Sequence, residues 1–221
     1  MTRNTSNAGV AETALADSTL TPDKARLSDL VLFFQKFLNK GLTISSAVPS
    51  SPSMVATILQ HIDFDRPGTI VELGAGTGPI TVEILEKLRP HHRFVMVEND
   101  PDFCEILQRR FPSTPLIQED ASKLAAPLAR LGIKKVDYVV SGLPTPNMPR
   151  RSAVRLWQWL QQALTPDGLF IQITNAPLLY RKFYRRLFES AEHETVMLNI
   201  PPGGVYRCAR PRLHLSKKKK R

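Results

Sequence analysis

Val71-Glu72-Leu73-Gly74-Ala75-Gly76-Thr77-Gly78 closes an apolar run and opens a helical one. Gly74 and Gly76 permit a tight turn and a close approach of backbone to ligand, while Gly78 lets the following helix pack near the strand. A dinucleotide turn instead spaces its glycines Gly-x-Gly-x-x-Gly and aims helix N–H groups at a pyrophosphate. Here the spacing is Gly-x-Gly-x-Gly, with Glu72 just before it. A carboxylate in that place repels phosphates and suits a cation.

Outward from the turn, strand-like runs at Thr69–Leu73, Arg93–Glu98, Pro115–Gln118, Val136–Ser141 and Leu169–Thr174 alternate with helical ones. The helical runs are Pro79–Leu88, Asp102–Arg110, Ala125–Leu131 and Ser152–Ala163. That alternation predicts a Rossmann-like, doubly wound α/β sheet, mostly parallel and covered on both faces. A last helix near Leu179–Ser190 and strands at Glu194–Asn199 and Gly204–Arg210 predict an antiparallel C-terminal edge.

Glu98 ends the second strand about 20 residues past the turn, where a carboxylate accepts both ribose hydroxyls of a nucleoside. Asp120 follows the third strand and is placed to accept from an adenine amine. With Asn99 and Ala121 beside them, these residues and the cradle of Glu72, Gly74, Ala75, Gly76 and Gly78 predict a site for S-adenosylmethionine, whose aminoacyl end is cationic. The fourth strand ends in Ser141-Gly142-Leu143-Pro144. Ligands of open α/β sheets lie beyond the carboxyl ends of the strands, so this turn is expected to face the transferred methyl group. An accepting amine must be neutral before it attacks, and backbone carbonyls or the Ser141 hydroxyl are candidates to orient it.

The 221 residues, 42% of them hydrophobic, suffice for one sizeable α/β core. Residues 1–21 are poor in bulky apolar side chains and are expected to be disordered. Over 22–40, Leu27, Leu30, Val31, Phe34, Phe37 and Leu38 recur at helical spacing and predict an amphipathic helix. The methyltransferase domain is expected over 22–212, with a basic tail at 213–221. There is no basic start with an apolar core at the N-terminus and no long apolar run, which predicts a protein kept inside the cell. Cys104 and Cys208 have no Cys or His at metal-ligand spacing, so no metal is expected. Net charge is +10, and Arg207, Arg210, Arg212 and Lys217 to Arg221 supply eight of those charges with no acid among them. Such a tail favours polyanions, whether nucleic acid or an anionic leaflet, or is simply solvated.

From about Phe34 to Arg210 the chain resembles the bacterial phospholipid N-methyltransferases. The likeness rests on Ala47-Val48-Pro49-Ser50-Ser51, the glycine turn, Val97 to Phe103, Ser141 to Pro144, and Asn199-Ile200-Pro201-Pro202-Gly203-Gly204-Val205-Tyr206-Arg207. It implies methylation of phosphatidylethanolamine and its partly methylated derivatives, from S-adenosylmethionine, at the cytoplasmic face of a membrane. The N-terminal helix would lie on an anionic surface, and no specific nucleic acid partner is implied. Where that family pattern leads to Gln-Phe-Thr-Tyr-Gly-Pro, this chain has Gln172-Ile173-Thr174-Asn175-Ala176-Pro177, which removes an aromatic partner for a methylammonium. Asn175 and Tyr206 join Ser141, Gly142 and Leu143 as candidate catalytic residues. Two alternatives stay open, an ornithine-type aminolipid and an RNA adenine. Against the second, a base substrate calls for a stacking aromatic, and the turn offers Leu143.

Overall fold

The computed structural model describes residues 52–197 and 203–212. The expectations for segment 1–21, helix 22–40 and tail 213–221 fall outside them. In chain order the elements are α1 (Pro52–Leu59), β1 (Gly68–Leu73), α2 (Pro79–Lys87), β2 (His92–Glu98), α3 (Pro101–Arg110), β3 (Leu116–Gln118), α4 (Ala125–Arg130), β4 (Val136–Ser141), α5 (Arg150–Ala163), β5 (Leu164–Thr174), α6 (Arg181–Leu187), β6 (Phe188–Val196) and β7 (Gly203–Pro211).

The strands form one sheet in the order β3-β2-β1-β4-β5-β7-β6. The pairs β1–β2, β1–β4, β2–β3 and β4–β5 are parallel, whereas β7 runs antiparallel to both β5 and β6. This is the doubly wound sheet with an antiparallel edge that the alternation of strands and helices predicts. Successive strand residues point to opposite faces and feed two cores. Val71, Val95, Val139 and Phe170 pack with α4, α5 and α6 through Leu128, Leu160 and Tyr184. Their neighbours Ile70, Met96, Val140 and Ile171 pack with α1, α2 and α3 through Ile58, Ile84 and Leu107. Burial on both faces is why these strands read as continuous apolar runs rather than as alternating ones.

Two expectations need correction. The helix read over Leu179–Ser190 is confined to Arg181–Leu187, because Phe188 pairs with Pro211 and Ser190 with Ala209 at the sheet edge. Strand β6 therefore starts well before Glu194 and ends at Val196, and tertiary pairing has overridden a helical pattern. Strand β5 begins at Leu164 instead of Leu169, since Leu164 pairs with Val136 ahead of an irregularity that takes up Thr165 to Gly168.

Candidate active site

The carboxyl ends of β1, β2, β3 and β4 gather the residues predicted to hold the donor and the turn from Ser141 to Pro144. The amides of Gly74 and Ala75 donate to the Val97 carbonyl at 2.8 and 3.3 Å, tying the glycine turn to the end of β2. Gly142 N–H donates to the Leu73 carbonyl at 2.9 Å, which fastens the turn after β4 on the other side. A Cβ on Gly74 would meet Leu143 Cδ2 at 2.8 Å, so the two turns are in direct contact.

Gly76 and Gly78 serve different purposes although both have positive φ, 58° and 84°. A Cβ on Gly76 would have no neighbour within 4 Å, so its bare face opens onto free space. A Cβ on Gly78 would stand 2.6 Å from the Phe111 ring and 3.1 Å from Leu107, so this glycine packs against the end of α3. The close approach expected between α2 and its own strand is thus an approach to α3.

Glu72 is only 2% exposed and lies beneath the turn, where Thr81 Oγ1 of α2 donates to its Oε2 at 2.7 Å. Burial pushes its carboxyl up to about 8; the Thr81 bond acts against that shift and the Glu98 charge adds to it. A carboxyl so desolvated is poised to ionise when a cation arrives.

Glu98 accepts from the amides of Asn99 (2.7 Å) and Asp100 (3.0 Å) on Oε1 and of Gly76 (2.9 Å) on Oε2. Three amides fill three of roughly four lone-pair sites on a carboxylate. The two-handed grip on a ribose that the sequence suggests therefore requires one amide to give way. Asp120 begins a short 3-10 turn, Ala121–Lys123, with its Oδ1 accepting from the Ser122 amide at 2.7 Å, and Ala121 is buried behind it. The Glu119 amide donates to the Glu98 carbonyl at 3.1 Å, which aligns the two acid-bearing strand ends.

The turn after β4 is held from behind by residues that sequence reasoning missed. Gln172, in β5 and 1% exposed, donates through Nε2 to the carbonyls of Ser141 (3.1 Å) and Leu143 (2.8 Å). Thr145 Oγ1 donates to Gln172 Oε1 at 3.0 Å and in turn accepts from the Tyr184 hydroxyl at 2.8 Å. This assignment of protons satisfies all three groups. Gln172 carries a weak signal, as a buried polar residue inside a strand that otherwise reads apolar. Thr145 and Tyr184 carry none, since their partners lie far away in sequence.

Ser141 is fully buried, and its Oγ accepts from the Leu143 amide at 3.3 Å; Gly142 and Leu143 are half-buried, Leu143 packing on the core and on Gly74, and Pro144 is exposed. Asn175 follows β5 and is half-buried at the same end of the sheet. Tyr206 is fully buried in β7, with its ring 4.4 Å from that of Tyr184 and its hydroxyl donating to the Pro177 carbonyl. Its position braces the β5–α6 turn. Cys104 and Cys208 are free and buried, and no cluster of metal-ligating side chains occurs among the described residues.

A glycine turn with an open face, a buried acid beneath it and acids ending the next two strands define a class I S-adenosylmethionine-dependent methyltransferase. Comparison with known proteins agrees. The ribosomal RNA adenine dimethylase family matches residues 45–144. An ornithine lipid N-methyltransferase of Singulisphaera acidiphila is 39% identical over 185 residues, which span 82% of this chain and 96% of that protein. A ribosomal RNA small subunit methyltransferase A of Synechococcus is 32% identical over 108 residues, 44% of this chain and 38% of that protein. Among solved structures, a 1,6-didemethyltoxoflavin-N1-methyltransferase of Burkholderia thailandensis, holding S-adenosylhomocysteine, shares the fold at a TM-score of 0.55. It is 16% identical, and the match covers 88% of this chain and 93% of that one. The chain belongs to the same family as the Singulisphaera enzyme, within the class I methyltransferases.

The residues present fit the donor. Glu72 would take the aminoacyl ammonium, Glu98 the ribose and Asp120 the adenine amine, with the backbone at Gly76 admitting the ligand. Bound there, S-adenosylmethionine supplies a methyl group on a sulfonium, and what the chain contributes is position and exclusion of water.

Proposed function

We propose that this chain transfers methyl groups to the amine of an aminolipid, with an ornithine-type headgroup first and phosphatidylethanolamine second. The observation that carries this is the match to the ornithine lipid N-methyltransferase, which runs through the substrate half of the domain as well as the donor half. The ribosomal RNA family matches only as far as residue 144, so it takes in the donor half and the turn after β4 but none of β5, β6 or β7. In the turn after β4, which that match includes, Leu143 offers no stacking face to a flipped base.

A primary amine beside an anionic group is common to both lipid headgroups. It must shed its proton before attack, and the turn's task is to hold the neutral nitrogen in line with the sulfonium. Gln172, Thr145 and Tyr184 act here as positioning residues, since their bonds fix the backbone of the turn. Attachment to the membrane is peripheral in this reading, and no helix among the described residues is long and apolar enough to cross a bilayer.

The test is production of the chain in two bacterial hosts, one with phosphatidylethanolamine alone and one with ornithine lipid as well, followed by mass spectrometry of the lipids. Ornithine lipid should gain methyl groups, one to three per headgroup if the amine is taken to its quaternary limit, as is roughly the chemistry's ceiling. Unchanged lipids together with newly methylated ribosomal RNA would overturn the proposal.

A further inference from the structure

We infer that the β5–α6 turn and the first turns of α5 and α6 form the surface that seats this chain on an anionic bilayer, an inference that rests on the aminolipid reading. The exposed large apolar side chains among the described residues are Leu131, Leu178, Leu179 and Met197. Three of these four lie at the donor end of the sheet. Leu178 and Leu179, 74% and 72% exposed, follow β5, and Met197, 72% exposed, follows β6. Both strands run antiparallel to β7, and Thr174 and Thr195 pair with the same residue, Gly204. The two strand ends are therefore about 10 Å apart, two strand spacings across.

Cations stand at the same end of the sheet, on the face that carries α5 and α6. Arg181 and Lys182 open α6, and Arg150 and Arg151 open α5; all four are exposed. The Trp157 and Phe183 rings meet edge to face at 6.1 Å, which sets the two helices side by side. No acid occurs in 142–158 or 175–187, and none of these four cations is ion-paired among the described residues. Cations in the first turn of a 14-residue helix oppose its dipole, so the fold gains nothing from Arg150 and Arg151 where they stand. An external anion reverses that sign.

Of the acids at this end, Glu98, Asp100, Asp102, Glu119 and Asp120 follow β2 and β3 on the donor side, and Glu194, near the end of β6, accepts from Gln60 Nε2 at 2.7 Å. The basic and apolar half is the substrate side. Arginines alone would suit RNA equally well. Two leucines and a methionine projecting among them suit the acyl boundary of a bilayer, with the cations level with the phosphates.

The experiment uses the full chain, vesicles of equal phosphatidylglycerol and phosphatidylcholine, and two double variants, Leu178→Ser with Leu179→Ser and Arg181→Gln with Lys182→Gln. Wild type should float with the vesicles. Each variant should lose about tenfold or more in partitioning, the charge variant only where phosphatidylglycerol is present. Melting temperature, donor binding and methylation of detergent-dispersed ornithine lipid should be unchanged. Variants that float like wild type, or a wild type that does not float, would overturn the inference. So would a marked fall in melting temperature of the leucine variant, because the leucines would then be packed against the chain itself. Failure of the aminolipid reading is a separate result, in which the wild type does not methylate dispersed lipid.

Discussion

Glu72 shows how one side chain links folding, pH and donor binding. Its carboxyl, held near 8 by burial against about 4.5 for an ordinary glutamate, is protonated in the empty protein at neutral pH. The stability that protonation preserves is fully present below about 4.5 and is lost as pH rises to about 8, since the unfolded chain ionises first. Without donor, Glu72 should therefore lower thermal stability across that interval in the wild type, and Glu72→Gln, which keeps an acceptor for Thr81, should lack that contribution. A donor ammonium beside Glu72 favours the carboxylate. Calorimetry at pH 6.5 in buffers of different ionisation enthalpy should then register release of about one proton on donor binding. Glu72→Gln should release none; equal release from both proteins would mean that Glu72 does not meet the cation.

The two glycines separate in the same way. Gly78→Ala forces a Cβ into Phe111 and Leu107 at positive φ, and should cost about 2–4 kcal/mol in denaturant unfolding. Gly76→Ala meets no neighbour, so only the strain of about 1–2 kcal/mol applies. Its Cβ projects into the open face, and donor affinity should fall by about tenfold or more. At this scale the sequence is highly legible. The turn and its acids are chosen by backbone geometry and ligand charge, which residue type and spacing express directly. The burial of Glu72 is not legible, because it depends on α2 folding Thr81 over the carboxyl.

Among the elements, the brace fixes the backbone of the turn after β4, to which the proposed function assigns the amine. Gln172→Leu keeps the approximate volume of the buried side chain but leaves the Ser141 and Leu143 carbonyls and the Thr145 hydroxyl without it. Each buried polar group so orphaned costs about 1–3 kcal/mol. Turnover should fall by about tenfold or more while donor affinity changes little, because the donor half does not use this network. Equal losses in both would place the network behind the donor site instead. Thr145, Gln172 and Tyr184 are 27 and 39 residues apart counting from Thr145, so no local pattern announces them. The edge strand β6 was hidden for a related reason. Its pairing with β7 is a long-range event, and the residues from Leu179 to Ser190 favour a helix locally.

At the scale of the whole molecule the ligand end of the sheet is divided by charge. Carboxylates on β1, β2 and β3 suit a cationic donor, and cations on α5 and α6 suit an anionic surface that presents an amine. Sheet order and the antiparallel edge were readable because burial on both faces prints continuous apolar runs into the chain. The charge division was not, since it arises only when β4 and β5 bring 150–151 and 181–182 to one rim. The stretch from Arg207 to Arg221 had accounted for eight of the +10, and of these Arg207 and Arg210 belong to β7 and pair with Glu192 and Glu189.

The most direct test of this account is transfer of labelled methyl groups from S-adenosylmethionine to mixed vesicles of ornithine lipid and phosphatidylethanolamine, with total RNA in a parallel assay and Glu98→Gln as control. Label in ornithine lipid, absent or much reduced with Glu98→Gln, is the expected result. Label confined to RNA would contradict the assignment of the amine acceptor, and undiminished label with Glu98→Gln would contradict the assignment of the donor site.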